Sequence, residues 1–311
     1  MPWRALIVGS VGPVAAGVVH AWIGAGNGVA GLWHASSPGF VRRDRRLAWL
    51  VPRWSVAASA RRYRFPIRRV PRLATWPQAA AAAEATGADV LISAYFRYLV
   101  PRQVLDIFGP RAVNFHPAPL PRYRGPDPVT AMVLDRSILT DGAMTLHVLN
   151  EAFDQGPIVA REPVALSSDL NIGRYYLALA QGAARLTAGA LQHYLAGEIA
   201  PVPQDDGQAT YAKPSDESWD LRPDMTADEI RWRCRTLARR RPIRVAGIES
   251  VTVTGFRGIV GPPKRELPTV GGLSVEFDAA DARVSLWRKV PGISRIRRLR
   301  RLADLAGTPV S

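Results

Sequence analysis

Short apolar runs alternate with helix-length stretches through the first part of the chain. "ALIVGS" at 5–10 is apolar and ends in a glycine turn, "GVAGLWHA" at 28–35 is a second such run, and residues 13–23 between them have helix length. That order predicts a βαβ unit with parallel strands. A basic and aromatic excursion follows, "FVRRDRRLAWLVPRWSVAASARRYRFPIRRVPR", with a helix around 55–62. "ATWPQAAAAAEATG" reads as a helix that Gly87 ends. "ADVLISAY" at 88–95 is a fully buried strand and "RAVNFHPA" at 111–118 the next. "AMTLHVL" at 143–149 and "GPIVAREPVAL" at 156–166 predict two more strands around the loop "NEAFDQ", and an amphipathic helix over about 168–196, ending at Gly197, closes the domain.

After "EIAPVPQDDGQAT" the pattern changes. A basic helix at about 226–240 precedes short alternating runs, "GIESVTVTGFRGIVG", "GLSVEF" and "ARVSLWRKV", with glycines between them. Short strands at this spacing predict a small barrel or sheet. The expected organisation is a first α/β domain over 1–198, a linker over 199–225, and a helix plus small β-rich domain with a basic tail over 226–311. The tail "SRIRRLRRLADLAG" has helical periodicity with an Arg-rich face, and no internal repeat is present.

Composition adds bounds. The chain has 311 residues, 47% hydrophobic and 22% charged, which is the make-up of an ordinary globular protein. Ala5 to Val41 carries no charged residue, yet Gly9, Gly12, Pro13, Gly24, Gly26 and Gly28 cut it into pieces shorter than the ~20 residues a membrane span needs. A membrane role is not expected. A single cysteine, Cys234, excludes an internal disulfide and a multi-cysteine metal site, and a reducing cytoplasm fits best. Cys234 itself lies in the basic stretch "EIRWRCRTLARRR" with no histidine partner nearby. Lys and Arg total 41 against 26 acidic residues, a net charge of +15, which points to an anionic partner such as a polyglutamylated cofactor, a nucleotide sugar or RNA.

Ligands of open α/β sheets sit beyond the carboxyl ends of the strands. Asn114 and His116 stand two apart at the end of such a strand, so their side chains share a face. Pro117, Pro119 and Pro121 stiffen the exit, and Asp154 sits in a loop ahead of Gly156. An Asn, a His and an Asp converging on one spot suit acyl transfer to an amine without a covalent intermediate. The Asn amide and an imidazolium donate to a developing oxyanion, and the Asp holds the His protonated and helps accept the amine proton. On spacing alone, a strand-end histidine before a proline is more often a structural turn residue, and Asp154 could be a turn residue ahead of Gly156. His147 in "MTLHVL" reads as packed against the sheet, no His pair has metal-site spacing, and "GSVG" at 9–12 is too short for a dinucleotide fingerprint.

"NFHPAPLPRYRG" with "FDQGPIVA" resembles the 10-formyltetrahydrofolate-dependent formyltransferases, which carry Asn-x-His, then Leu-Pro-x-x-Arg-Gly, and later Asp-x-Gly on a loop. The group contains methionyl-tRNA formyltransferase, glycinamide ribonucleotide transformylase and the sugar N-formyltransferases. The resemblance covers roughly residues 5–240 and implies a Rossmann-like formyltransferase domain with a mostly parallel sheet, followed by a small OB-like β domain. It implies Asn114, His116 and Asp154 as catalytic residues. It implies Ile92, Ser93, Ala94, Tyr95, Leu120 and Pro121 at the folate, the strand contributing through its backbone, and Arg122, Arg124 and Gly125 at the acceptor. No metal is implied, and 10-formyltetrahydrofolate is the formyl donor.

The sequence departs from the relatives at two places. Ala118 and Pro119 stand where many have Ser and Leu, and "PDP" follows Gly125 where the tRNA enzymes have two small residues before the proline. Both changes bear on the acceptor. The acceptor readings are a small amine, such as an amino sugar nucleotide or a biosynthetic amine, and, as alternative, methionyl-tRNA. A formyltetrahydrofolate hydrolase and an inactive RNA- or protein-binding relative complete the set.

Overall fold

The computed structural model describes residues 2–164, 172–238 and 243–290. The chain forms two compact units, Met1–Lys213 and Pro214–Ser311.

In the first unit, strand β1 (Arg4–Gly9), helix α1 (Pro13–Gly24) and strand β2 (Gly28–His34) form the expected βαβ unit, with β1 and β2 parallel. Pro13 occupies the first turn of α1, where its missing N–H costs nothing. The uncharged sequence of α1 is explained by burial: Val14, Ala15, Ala16, Val18, Val19 and Trp22 are all in the core.

The basic excursion folds as two helices, α2 (Pro38–Leu50) and α3 (Val56–Tyr63). Only the second was expected. The clue is Asp44, which is buried and accepts from the Val56 and Ala57 N–H groups at 3.0 and 2.8 Å and from Ser55 Oγ at 3.2 Å. Its negative charge meets the positive end of α3, while the arginines around it face outward. Edge strand β3 (Ile67–Arg69) pairs in parallel with β2, followed by helix α4 (Ala79–Glu84), buried strand β4 (Val90–Ala94) and helix α5 (Arg102–Phe108).

Strand β5 (Ala112–His116), helix α6 (Pro128–Leu134), and strands β6 (Ala143–Val148) and β7 (Ile158–Pro163) complete the sheet. Its order is β3-β2-β1-β4-β5-β6-β7. The strands from β3 through β5 are parallel, and β6 and β7 run antiparallel. The closing helix is broken: α7 (Ile172–Ala188) and α8 (Ala190–Leu195) meet at Gly189. The expected start at 168 lies outside the described residues.

Residues 199–213, read from sequence as the beginning of a linker, are folded against the first unit. Val202 forms an antiparallel bridge with Ile158 and Tyr211 a parallel one with Arg124.

The second unit contains strand β8 (Asp220–Leu221), helix α9 (Ala227–Thr236), and strands β9 (Ile243–Val245), β10 (Ile248–Gly261), β11 (Thr269–Val270), β12 (Ser274–Asp278) and β13 (Arg283–Arg288). They form a sheet of order β11-β12-β13-β10-β9-β8, the β-rich domain that the alternating runs predict. Thr226 caps α9 by accepting from the Glu229 N–H. Cys234 is buried on α9, and burial pushes its thiol up to about 12, which leaves it unreactive. The Arg-rich tail from 294 lies outside the described residues.

Candidate active site

Asn114 and His116 end the interior strand β5, both buried, with side chains on one face as their spacing requires. The register of β6 sets His147 opposite Asn114 and Thr145 opposite His116. On the other side of β5, Ser93 of β4 pairs with Asn114.

Asp154 brings these strands to a common point. Its Oδ1 lies 3.2 Å from His116 Nδ1, 3.3 Å from Asn114 Nδ2 and 3.5 Å from His147 Nε2. Its Oδ2 accepts from the Gly125 N–H at 2.9 Å. The residue has φ 57, a left-handed conformation rare outside glycine. Burial opposes its charge, but the neighbouring His116 and its contact with the carboxylate win, so the carboxyl is held well below the usual carboxylate range.

Both ring nitrogens of His116 face acceptors: Nδ1 the Asp154 carboxylate, and Nε2 the Tyr123 carbonyl oxygen at 2.8 Å. Only the doubly protonated imidazolium donates to both. His147 is the opposite case. Its Nδ1 donates to the Val148 carbonyl at 2.9 Å, so Nε2 is left to accept from Asn114 Nδ2 at 3.0 Å. His147 is therefore more than the packed strand residue that alternation predicts: it orients the Asn114 amide. The sequence signal for it, a histidine on the strand next to the Asn-x-His strand, acquires meaning only once the antiparallel register is known.

The other expected site residues divide into two groups. Ile92, Ser93 and Ala94 have buried side chains in β4, which leaves the main chain at its carboxyl end as the part a ligand can meet. Tyr95 follows at φ 60, its carbonyl accepting from Ser10 Oγ at 2.8 Å. Leu120 and Pro121 are buried beside the β5 exit, and Thr145 Oγ1 ties that exit down by donating to the Ala118 carbonyl at 2.6 Å.

The three residues expected at the acceptor are placed differently from one another. Arg124 is only 2% exposed, and its guanidinium is taken up by Gln204 at 2.9 and 3.1 Å and by Asp206 at 2.8 Å, so it braces the loop from within. Gly125 serves Asp154 through its N–H, at a φ of 110 that other residues rarely adopt. Arg122 is partly exposed and paired with Asp141 at 2.8 Å.

Among the described residues no group of three or more His, Cys, Asp or Glu is placed to hold a metal ion, and no helix is long and apolar enough to cross a membrane.

Comparison with known proteins supplies an independent line. A family model described as formyl transferase matches residues 55–188. Methionyl-tRNA formyltransferase of Halorhodospira halophila is 32% identical over 216 residues, 67% of this chain and 68% of the relative. The corresponding protein of Nitratidesulfovibrio vulgaris is 33% identical over 194 residues, so the match spans 58% of that relative's length and 61% of this chain. Among solved structures, WlaRD, a sugar 3N-formyltransferase crystallised with dTDP and 5-N-formyl-THF, superposes with TM-score 0.63 at 13% identity. The superposition covers 94% of this chain and 99% of WlaRD, and shows a shared fold.

Proposed function

The chain belongs to the formyl transferase family, and on that premise we propose that it moves the formyl group of 10-formyltetrahydrofolate to a primary amine of a small acceptor. The observation that carries the reading is the meeting of Asn114, His116 and His147 on one carboxylate oxygen of Asp154. The acceptor amine attacks the formyl carbon, a C–N bond forms, and the carbonyl oxygen becomes an oxyanion. His116, held through Nδ1 by Asp154 and turning its Nε2–H from the Tyr123 carbonyl to the oxyanion, and the Asn114 amide donate to that oxygen. The Asn114 donor to Asp154, at 3.3 Å, is a long hydrogen bond and one an oxyanion readily replaces. Collapse breaks the bond to the folate nitrogen, which leaves with the proton given up by the amine.

A small acceptor is supported by the departures at Ala118, Pro119 and the "PDP" after Gly125, and by the near full-length match to a sugar N-formyltransferase. A second reading, an aminoacyl-tRNA acceptor, is favoured by one specific feature besides the names of the curated relatives. Arg42, Arg43, Arg45, Arg46 and Arg53 are exposed around α2, beside Trp49 and Leu50, which are 84% and 79% exposed.

Purified protein supplied with 10-formyltetrahydrofolate and a panel of amines should release tetrahydrofolate and a formamide. His116→Ala and Asp154→Asn should lower kcat by about 10²–10⁴-fold while folate binding is largely retained. Normal turnover by both variants would remove the site assignment.

A further inference from the structure

We propose that Gln204 is a positioning residue for formyl transfer, its side-chain amide holding the Asp154 loop in the conformation that aims the carboxylate at His116. The proposal rests on the reading of Asp154 given above. Every hydrogen-bonding position of this amide is used. Its Nε2 donates to the carbonyls of Asp154 and Gly156 at 2.8 and 2.7 Å, and its Oε1 accepts from Arg124 Nε and Nη2 at 3.1 and 2.9 Å. An amide with two donors and two acceptor sites so occupied has one orientation.

The placement follows from the backbone. Val202 and Ile158 form an antiparallel bridge, bonded both ways at 2.8 Å, and continuing that register sets residue 204 opposite Gly156. The two carbonyls that Gln204 holds bracket Gln155, directly after Asp154. Asp154 has φ 57, an arrangement that carries a conformational cost and persists only where the surroundings enforce it. The anchor on the far side of the amide is Arg124, buried and held by Asp206, whose own side chain is 83% exposed. Arg124 in turn is tied through its main chain to Thr210 and Ala212 at 2.8 and 2.6 Å. One glutamine thus joins the Arg-Gly turn after the β5 motif to the Asp loop after β6, the two loops that must keep His116 and Asp154 in register.

The groups facing the Asp154 carboxylate are His116 and Asn114 from β5, His147 from β6 and the Gly125 N–H; on the 199–213 segment Asp206 is engaged by Arg124 and Asp205 by the Gly207 N–H and Gln208. Gln204→Glu is the sharp test. It keeps an acceptor for Arg124 but turns a carboxylate oxygen against the two loop carbonyls. Gln204→Met removes all four bonds at similar length and decides the matter if the first variant does not fold. A reacting group displaced by about 1 Å costs up to about 10²-fold, so kcat should fall by roughly ten- to a hundredfold with KM for 10-formyltetrahydrofolate little changed. In parallel, the Asp154 side-chain carbon, followed by NMR against pH, should titrate at higher pH than in the unmodified protein, because a misaimed carboxylate loses the stabilisation His116 provides. A folded variant with unchanged kcat and unchanged Asp154 titration overturns the proposal. The NMR readout needs no turnover, so it tests Gln204 even if no formyl acceptor is found, and failure of the transfer assay is then separable from failure of this assignment.

Discussion

Asp154 concentrates the electrostatics of the site in one residue. Its carboxyl is buried yet stays charged, because His116 outweighs the desolvation that opposes the anion. A carboxyl whose folded value lies below its ordinary 3.8 contributes stability that is complete above 3.8 and is lost as pH falls below it through the folded value. Urea midpoints of the unmodified protein and Asp154→Asn, compared at pH 7, 4 and 3, should therefore converge on acidification. A gap that stays constant to pH 3 would mean that His116 does not stabilise the carboxylate. Asn114, His116 and Asp154 were all readable in the sequence, since residue type and motif order are local properties. His147 and Gln204 were not, because each acquires its role from a strand partner far away in the chain.

At the scale of elements, the site depends on an antiparallel ending to a parallel sheet. A parallel neighbour would reach β5 through a crossover. Instead β6 returns alongside β5, laying His147 beside Asn114, and the 149–157 loop that follows sets Asp154 against Asn114 and His116. That loop has no spare room at Gly156, where an added Cβ would run into the Val148 carbonyl. Gly156→Ala should destabilise the protein by about 1–3 kcal/mol through overpacking, lowering Tm by roughly 2–12 °C for a domain of this size, and should reduce kcat because the Asp154 loop shifts. An alanine variant with unchanged Tm and kcat would show that the loop can relax freely. Strand and helix identities were largely legible, as their apolar runs and glycine stops are short-range signals. The helix α2 was not: among the described residues it buries no apolar stripe that periodicity could reveal, and Asp44 makes sense only through its bonds to the start of the helix that follows.

Over the whole molecule, charge distinguishes the two acceptor classes. Asp44 is the one acidic residue between Phe40 and Arg72, and it is buried, so the exposed arginines of α2 and α3 have no exposed acidic residue within their own segment. Counterion release would make any nucleic-acid acceptor steeply salt-sensitive, losing about 10³–10⁵ in affinity between 50 and 200 mM salt if six to ten phosphates are engaged. With a small amine acceptor, kcat/KM should vary little over that range, and charge reversal of Arg42, Arg43, Arg45 and Arg46 should leave it intact. A steep salt slope abolished by that reversal would establish the tRNA reading instead. The sequence alone determined the α/β class, the family resemblance and the Asn-His-Asp set, because these rest on periodicity and on motifs contiguous in the chain. Tertiary structure decided which groups surround the carboxylate, buried the Arg124 guanidinium against Gln204 and Asp206, and placed 199–213 in the first unit. Those outcomes depend on strand register and on which polar groups are buried together, and neither is encoded in any single stretch of residues.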